Sequence, residues 1–304
     1  MLNRLCRDDS RTEADRQAPA SAAYVDDIRL PSTRTVVRVE IIPSSVSAAD
    51  EAPQFLSSYL VDDAVCIDGG SIGLLADVDR QRAVQHVFLT HAHLDHVASL
   101  PLFVENVHEP GTPCVELLGS PETLSSIHRD LFNDRIWPDF FRLSTPHDAF
   151  VRATPLEPLV TVERAGLRIT PVPVTHSCET FAMVVDDGRS CVAFAADTGP
   201  TELLWHELAA RPTLRGVFLE CSFPDRLGDF AARTGHLCPA TFGAQRARLP
   251  AEVRFFAVHR KARHAATIAR ELAALNAPGV ELARPGVVYD LGRAGQPDFR
   301  PRSA

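Results

Sequence analysis

Six consecutive residues, His91-Ala92-His93-Leu94-Asp95-His96, hold three imidazoles and a carboxylate. Nitrogen and oxygen donors at this density suit a divalent metal, zinc first and also manganese or iron. The run follows Val84–Leu89, a short apolar stretch of strand character that ends at Thr90. A continuing strand would send alternate side chains to opposite faces, whereas a turn at a strand end can aim several at one point. The competing reading is a solvated polar loop with incidental histidines, and the spacing is too dense for it.

The elements that must position these donors read mostly as strands. Thr35–Ile42, Ser58–Val61 and Ala64–Ile67 are strand-length apolar runs, and Asp62-Asp63 suits a hairpin turn between the last two. Later strands are expected at Val115–Leu118, Leu167–Val174, Phe181–Val185, Cys191–Ala195, Val217–Leu219 and Val253–Val258. Helical stretches are expected at 97–107, 121–131, 201–210, 239–249 and 262–275, the last with Ile268, Leu272 and Leu275 on one face. Strands outnumber helices, and helices recur between strand groups in both halves. That pattern predicts an α/β plan of two packed sheets with helices outside.

Residues 1–32 are rich in Arg, Asp, Ala and Ser without an apolar period and read as a flexible leader. Residues 33–304 then form one domain, since no repeat or low-complexity linker divides them. The chain has 304 residues, 45% hydrophobic and 23% charged, with a net charge of -8. An acidic total argues against binding nucleic acid through its phosphates. Seven cysteines without a C-x-x-C pair read as free thiols in a reducing compartment. With no signal-like apolar stretch and no window approaching a membrane span, the expectation is a cytoplasmic protein off the membrane.

The run 91–96 matches the H-x-H-x-D-H signature of the metallo-β-lactamase superfamily, and the chain resembles that superfamily over about residues 35–290. Asp68-Gly69-Gly70 resembles the Asp-x-Gly turn that precedes the signature. His176, Asp197 (in Ala196-Asp197-Thr198-Gly199) and His259 stand where the family places its remaining ligands. The resemblance implies a four-layer αββα sandwich. It also implies two divalent metal ions, one held by His91, His93 and His176, the other by Asp95, His96 and His259, with Asp197 between them. Such a pair lowers the pKa of a bound water and offsets charge on a phosphoryl oxygen. Each assignment has an alternative: His176 as a surface histidine, Asp197 as a cap for the helix near Thr201, and His264 in place of His259. In this family a Gly commonly follows the signature, where this chain has Ala98-Ser99.

A narrower resemblance is to the class II 3',5'-cyclic-nucleotide phosphodiesterases and the ribonuclease Z group behind them. It rests on Leu94 within the signature, on Asn133-Asp134-Arg135-Ile136-Trp137-Pro138, and on Gly235-His236-Leu237 after Glu220-Cys221-Ser222. Trp137 is equally readable as a core aromatic at a helix end. The resemblance implies hydrolysis of a small cyclic nucleotide to its 5'-monophosphate, with Asp95 and His236 catalytic. Imidazole titrates near neutrality, so His236 can protonate the leaving oxygen; helix capping or support of a ligand is the other role open to it. Dimerisation is expected only by analogy with the superfamily. Other readings of the same donors are a ribonuclease Z-like nuclease, a thioester or lactone hydrolase, and a metal-bound binding protein without catalysis.

Overall fold

Period-two alternation with both faces apolar is the rule in the central strands, and it dictates a layered core. In the strand Phe181–Asp186, Phe181, Met183 and Val185 join one apolar cluster while Ala182 and Val184 join another. The computed structural model describes residues 37–44, 54–292 and 299–301; the expected leader lies outside them.

Two sheets carry this pattern. The first runs in the order Phe299–Pro301, Val287–Leu291, Val37–Ile41, Tyr59–Val61, Val65–Ile67, His86–Phe88, Val115–Gly119, Val151–Pro155. The second runs Val280–Leu282, Arg254–Val258, Leu214–Glu220, Cys191–Phe194, Phe181–Asp186, Leu167–Pro173, Val162–Arg164. Their facing sides meet in one buried layer that includes Val39, Ile67, Phe88, Phe194, Phe218 and Phe256. Outside the first sheet lie Leu100, Phe103 and Val104 of the helix Leu100–Val107, with Leu124 and Ile127 of Pro121–Asp130. Outside the second lie Leu204 and Leu208, Phe242, and Ile268 with Leu272, each pair or residue from a different helix. The layers run helix, sheet, sheet, helix, the αββα sandwich expected from the sequence.

Both sheets are mixed, and the parallel strands decide where chemistry can occur. Val65–Ile67 and His86–Phe88 are parallel neighbours, as are Cys191–Phe194, Leu214–Glu220 and Arg254–Val258. Asp68, Thr90, Asp197, Ser222 and His259 all lie just past the carboxyl ends of these strands. Loops there are free of the ladder and can converge, as ligand sites of open α/β sheets do.

Where the expectations differ from the structure, they differ in edges and short elements. The hairpin at Asp62-Asp63 forms, both residues left-handed at φ 53° and 54°. The helix expected at 97–107 is broken into Leu94–Val97 and Leu100–Val107. Helices at Val78–Ala83 and Gly228–Thr234 and strands at Val151–Pro155, Val162–Arg164, Val280–Leu282 and Val287–Leu291 were not foreseen. Most are edge or half-buried elements, whose polar positions blur the periodic signal. Among the described residues no helix is long and apolar enough to cross a membrane.

One buried carboxylate links the sheets. Glu116, on Val115–Gly119 of the first sheet, accepts from Arg164 of the second (Nε, 2.7 Å), from Thr154 Oγ1 (2.6 Å) and contacts His86 Nδ1 (2.9 Å). Burial opposes its ionisation, but the bonds from His86, Arg164 and Thr154 outweigh it and hold the carboxyl well below the usual carboxylate range. A depressed folded pKa contributes stability that is complete above the ordinary carboxylate pKa and is lost as pH falls below it. Urea unfolding should therefore show the wild type losing stability from about pH 5 to pH 3, and Glu116→Gln should be less stable at neutral pH with a shallower acid dependence. Parallel pH curves for the two proteins would refute this role.

Candidate metal centre

The six-residue signature breaks from its strand at Thr90, and a rigid turn from the preceding hairpin clasps it. Asp68 is left-handed at φ 61°, a conformation that Asp tolerates better than most residues. Its Oδ1 accepts from Thr90 N (2.8 Å), and its Oδ2 lies 2.7 Å from His96 Nδ1. Gly69 N donates to His96 O at 2.7 Å. Gly70 cannot be replaced without disturbance, because a Cβ there would sit 2.2 Å from Asp95 O and 2.7 Å from the Ser57 backbone. The Asp68-Gly69-Gly70 segment is therefore the mould in which the donor run is cast.

Three imidazole nitrogens converge on one point. His93 Nδ1 lies 3.1 Å from His91 Nε2 and 3.2 Å from His176 Nε2. Zinc–nitrogen bonds of ~2.0–2.1 Å give tetrahedral edges of about 3.4 Å, so these separations are close to those of ligands around one ion. The opposite nitrogens are tied down: His91 Nδ1 lies 3.0 Å from Thr90 Oγ1, and His176 Nδ1 3.0 Å from Gly235 O. Gly235, at φ 69°, would place a Cβ 2.9 Å from His176 Cα, so both its conformation and the close approach require glycine.

A second group adjoins the first. Asp95 Oδ2 lies 3.1 Å from His259 Nε2. Asp197 Oδ1 is 3.4 Å from His96 Nε2 and 3.2 Å from His259 Nδ1. Asp197 Oδ2 is 4.0 Å from His91 Nε2, so this one carboxylate belongs to both groups. Asp197 does not cap a helix; the next helix starts at Leu203, with Glu202 as its cap residue. All seven residues expected from the sequence are thus brought together, and His259 rather than His264 is the histidine at the centre.

The arrangement fits cations. His96 Nε2 and Asp197 Oδ1 are fully buried yet have no hydrogen-bond partner, a costly state for polar atoms unless something charged satisfies them. Protonation states agree, with His96 the exception. Burial, aided by neighbouring imidazoles, pushes His91 well down; burial likewise lowers His93 and His176, leaving lone pairs free. Burial opposes charge on Asp95 and Asp197, but a hydrogen bond from His259 to Asp95 and the charges of His259 and His96 on Asp197 keep both well below the carboxylate range. Burial would also lower His96, yet Asp197 and Asp68 outweigh it and hold that imidazole well above its usual value. Neutral imidazoles and ionised carboxylates are the forms that bind metal, so a cation entering the second group would displace the proton from His96.

With this geometry established, known proteins can be compared. Residues 74–259 match the family model described as the beta-lactamase superfamily domain. The chain belongs to that superfamily. The probable 3',5'-cyclic-nucleotide phosphodiesterase of Yersinia pestis is 26% identical over 179 residues, 52% of this chain and 49% of that protein. The 3',5'-cyclic-nucleotide phosphodiesterase of Aliivibrio fischeri is 26% identical over 175 residues, 51% of this chain and 50% of that protein. The chain therefore spans about half the length of the curated relatives it matches. Unliganded yeast PDE1 shares the fold, with TM-score 0.67 over 85% of this chain and 100% of that one at 16% identity.

His236, expected from the narrower resemblance, lies beside both groups. Its ring centroid is 5.0 Å from that of His176 and 6.0 Å from that of His259. Glu220, fully buried, lies 2.6 Å from His236 Nδ1 and also accepts from Thr198 N and Ser222 N. Burial works against a protonated imidazole here, but the bond and charge of Glu220 outweigh it and raise its pKa. Trp137 instead packs on the helix side of the first sheet, and Asn133 Oδ1 closes its turn by accepting from Arg135 N and Ile136 N.

Sequence reasoning did not single out Glu220, Ser222 or Lys261. Glu220-Cys221-Ser222 was visible as a segment, but only the fold shows Glu220 behind His236 and Ser222 Oγ 3.0 Å from His259 Nδ1. Asp68 was noted as a turn and proves to hold His96. Replacing such an outer partner typically costs 10–100-fold in metal affinity. Asp68→Asn should weaken binding of one metal ion by about that factor, read by competition with a chromophoric chelator. Unchanged affinity at both sites would refute the role.

Proposed function

We propose that this chain is a dinuclear metal-dependent phosphodiesterase that opens a 3',5'-cyclic nucleotide to its 5'-monophosphate. The observation that carries the reading is a pair of adjoining donor groups sharing Asp197, with the Glu220–His236 pair alongside. The names of the Yersinia pestis and Aliivibrio fischeri relatives support the substrate class. In this reading His91, His93 and His176 hold one ion, Asp95, His96 and His259 hold the other, and Asp197 serves both. Zinc suits the donors best, with manganese or iron as alternatives. Two such ions, when bound, lower the pKa of a water nucleophile and offset charge developing on the phosphoryl oxygens.

The chain's own residues supply orientation and a proton. Asp68, Gly235 and Thr90 fix the rings of His96, His176 and His91, so that each presents a chosen nitrogen to the centre. Glu220 engages His236 Nδ1 and favours the protonated ring, leaving Nε2 to donate to the departing 3' oxygen. General-acid catalysis by a positioned side chain is worth about 10²–10⁴-fold in rate.

Purified protein should convert cyclic AMP or cyclic GMP to the 5'-monophosphate, followed by chromatography. His93→Ala and Asp95→Ala should fall to background with reduced metal content. His236→Ala should keep its metal and lose about 10²-fold or more in kcat. Metal-loaded protein that leaves both cyclic nucleotides intact overturns the substrate class; precursor tRNA and a thioester, run in the same panel, would identify the alternative. Full turnover by His93→Ala overturns the site.

A further inference from the structure

The chain contains one lysine among its 31 lysine and arginine residues, and that lysine lies at the metal centre. Lys261 Nζ is 3.2 Å from Asp95 Oδ2 and 3.5 Å from His259 Nε2. Its side chain keeps 37% of its exposure, against 7% for His259, so the ammonium stands between the buried donors and solvent. The short extended turn after the strand Arg254–Val258 puts it there, since His259 at φ 52° redirects the chain before the turn at Ala262–His264.

We propose that Lys261 is the residue that binds the substrate's phosphoryl anion, and so selects an anionic ester over a neutral one. The inference rests on the phosphodiesterase reading above. Asp95, whose Oδ2 is the present partner of Nζ, is also one of the residues proposed to hold a metal ion. Were Asp95 to hold a cation, the ammonium would lose this partner, and its flexible four-carbon stem would let it reach a phosphoryl oxygen at the mouth of the site. Beside it stand the buried carboxylates of Asp197 and Glu220, which repel an approaching anion, whereas the half-exposed ammonium attracts one. Lysine provides a compact point charge with three rotatable donors, whereas arginine would impose a planar fork.

A single lysine makes the test selective. Metal-loaded full-length protein is treated with pyridoxal 5'-phosphate, whose aldehyde condenses with an amine and releases water. Borohydride then reduces the C=N bond, and peptide mass spectrometry separates the Lys261 adduct from the one on the α-amine. Millimolar inorganic phosphate should suppress the Lys261 adduct several-fold without changing the α-amine adduct, and uncharged adenosine should protect neither. Lys261 labelled equally with and without phosphate overturns the proposal. In kinetics on bis-p-nitrophenyl phosphate, Lys261→Met should raise KM about tenfold with kcat and metal content nearly unchanged, and Lys261→Arg should recover much of the loss. An unchanged KM, or a loss of activity that tracks lost metal, also overturns it. Should cyclic nucleotides prove inert while phosphate still protects Lys261, the substrate reading fails and the anion site stands. If protection is absent while cyclic AMP is hydrolysed, only the role of Lys261 fails.

Discussion

The carboxylate of Asp197 is the constraint around which this protein is organised. It is almost wholly buried, ionised, and one of its oxygens has no hydrogen-bond partner. Burying an isolated charge is prohibitively costly, so the surrounding structure must supply compensation. His96, His259 and His91 stand within 4.0 Å of it. Those three imidazoles come from two sheets, which is possible only because parallel strands of both end at one edge.

Around this charge lies a layer of groups that never reach the centre and yet decide what it can do. Imidazole has two nitrogens, and a ring becomes a ligand of defined direction only when one of them is occupied elsewhere. Asp68, Thr90 and the Gly235 carbonyl do this for three rings, and Glu220 does it for His236. The consequences diverge. A ring backed by a neutral carbonyl or hydroxyl and crowded by other imidazoles remains neutral and suited to metal. A ring backed by a buried carboxylate, as His96 is by Asp68 and His236 by Glu220, is drawn towards its cationic form. The group behind each ring thus sets its protonation state within one site.

The scaffold's contribution is rigidity at the positions where donors leave the strands. Close approach of backbones at Gly70 and Gly235 leaves no room for a Cβ. The left-handed residues Asp68, Ala196 and His259 mark sharp exits from strands, next to or at the donors themselves. Such conformations persist because apolar layers on both sides of each sheet hold the strands. Stability built in the core is thereby converted into precision at the edge.

The sequence alone was enough to recognise the donor run, because six adjacent residues express their chemistry without help from the rest of the chain. It also yielded the central strands, whose two-faced apolar pattern is local, and the order of the four donor segments. The family resemblance already implied that Asp197 lies between two groups, but the sequence could not show that Glu220 stands behind His236, or that Lys261 meets Asp95, a residue 166 positions away. Those relations join segments far apart in the chain, and no periodicity records them. Edge strands such as Val162–Arg164 and Val280–Leu282 were likewise invisible, since half-exposed residues carry little pattern until a neighbouring strand pairs with them. Spacing singled out the donors of the run 91–96, and the family resemblance added His176, Asp197 and His259. Only the packing of two sheets decided which of their nitrogens and oxygens face each other, because that direction is set by partners distant in sequence.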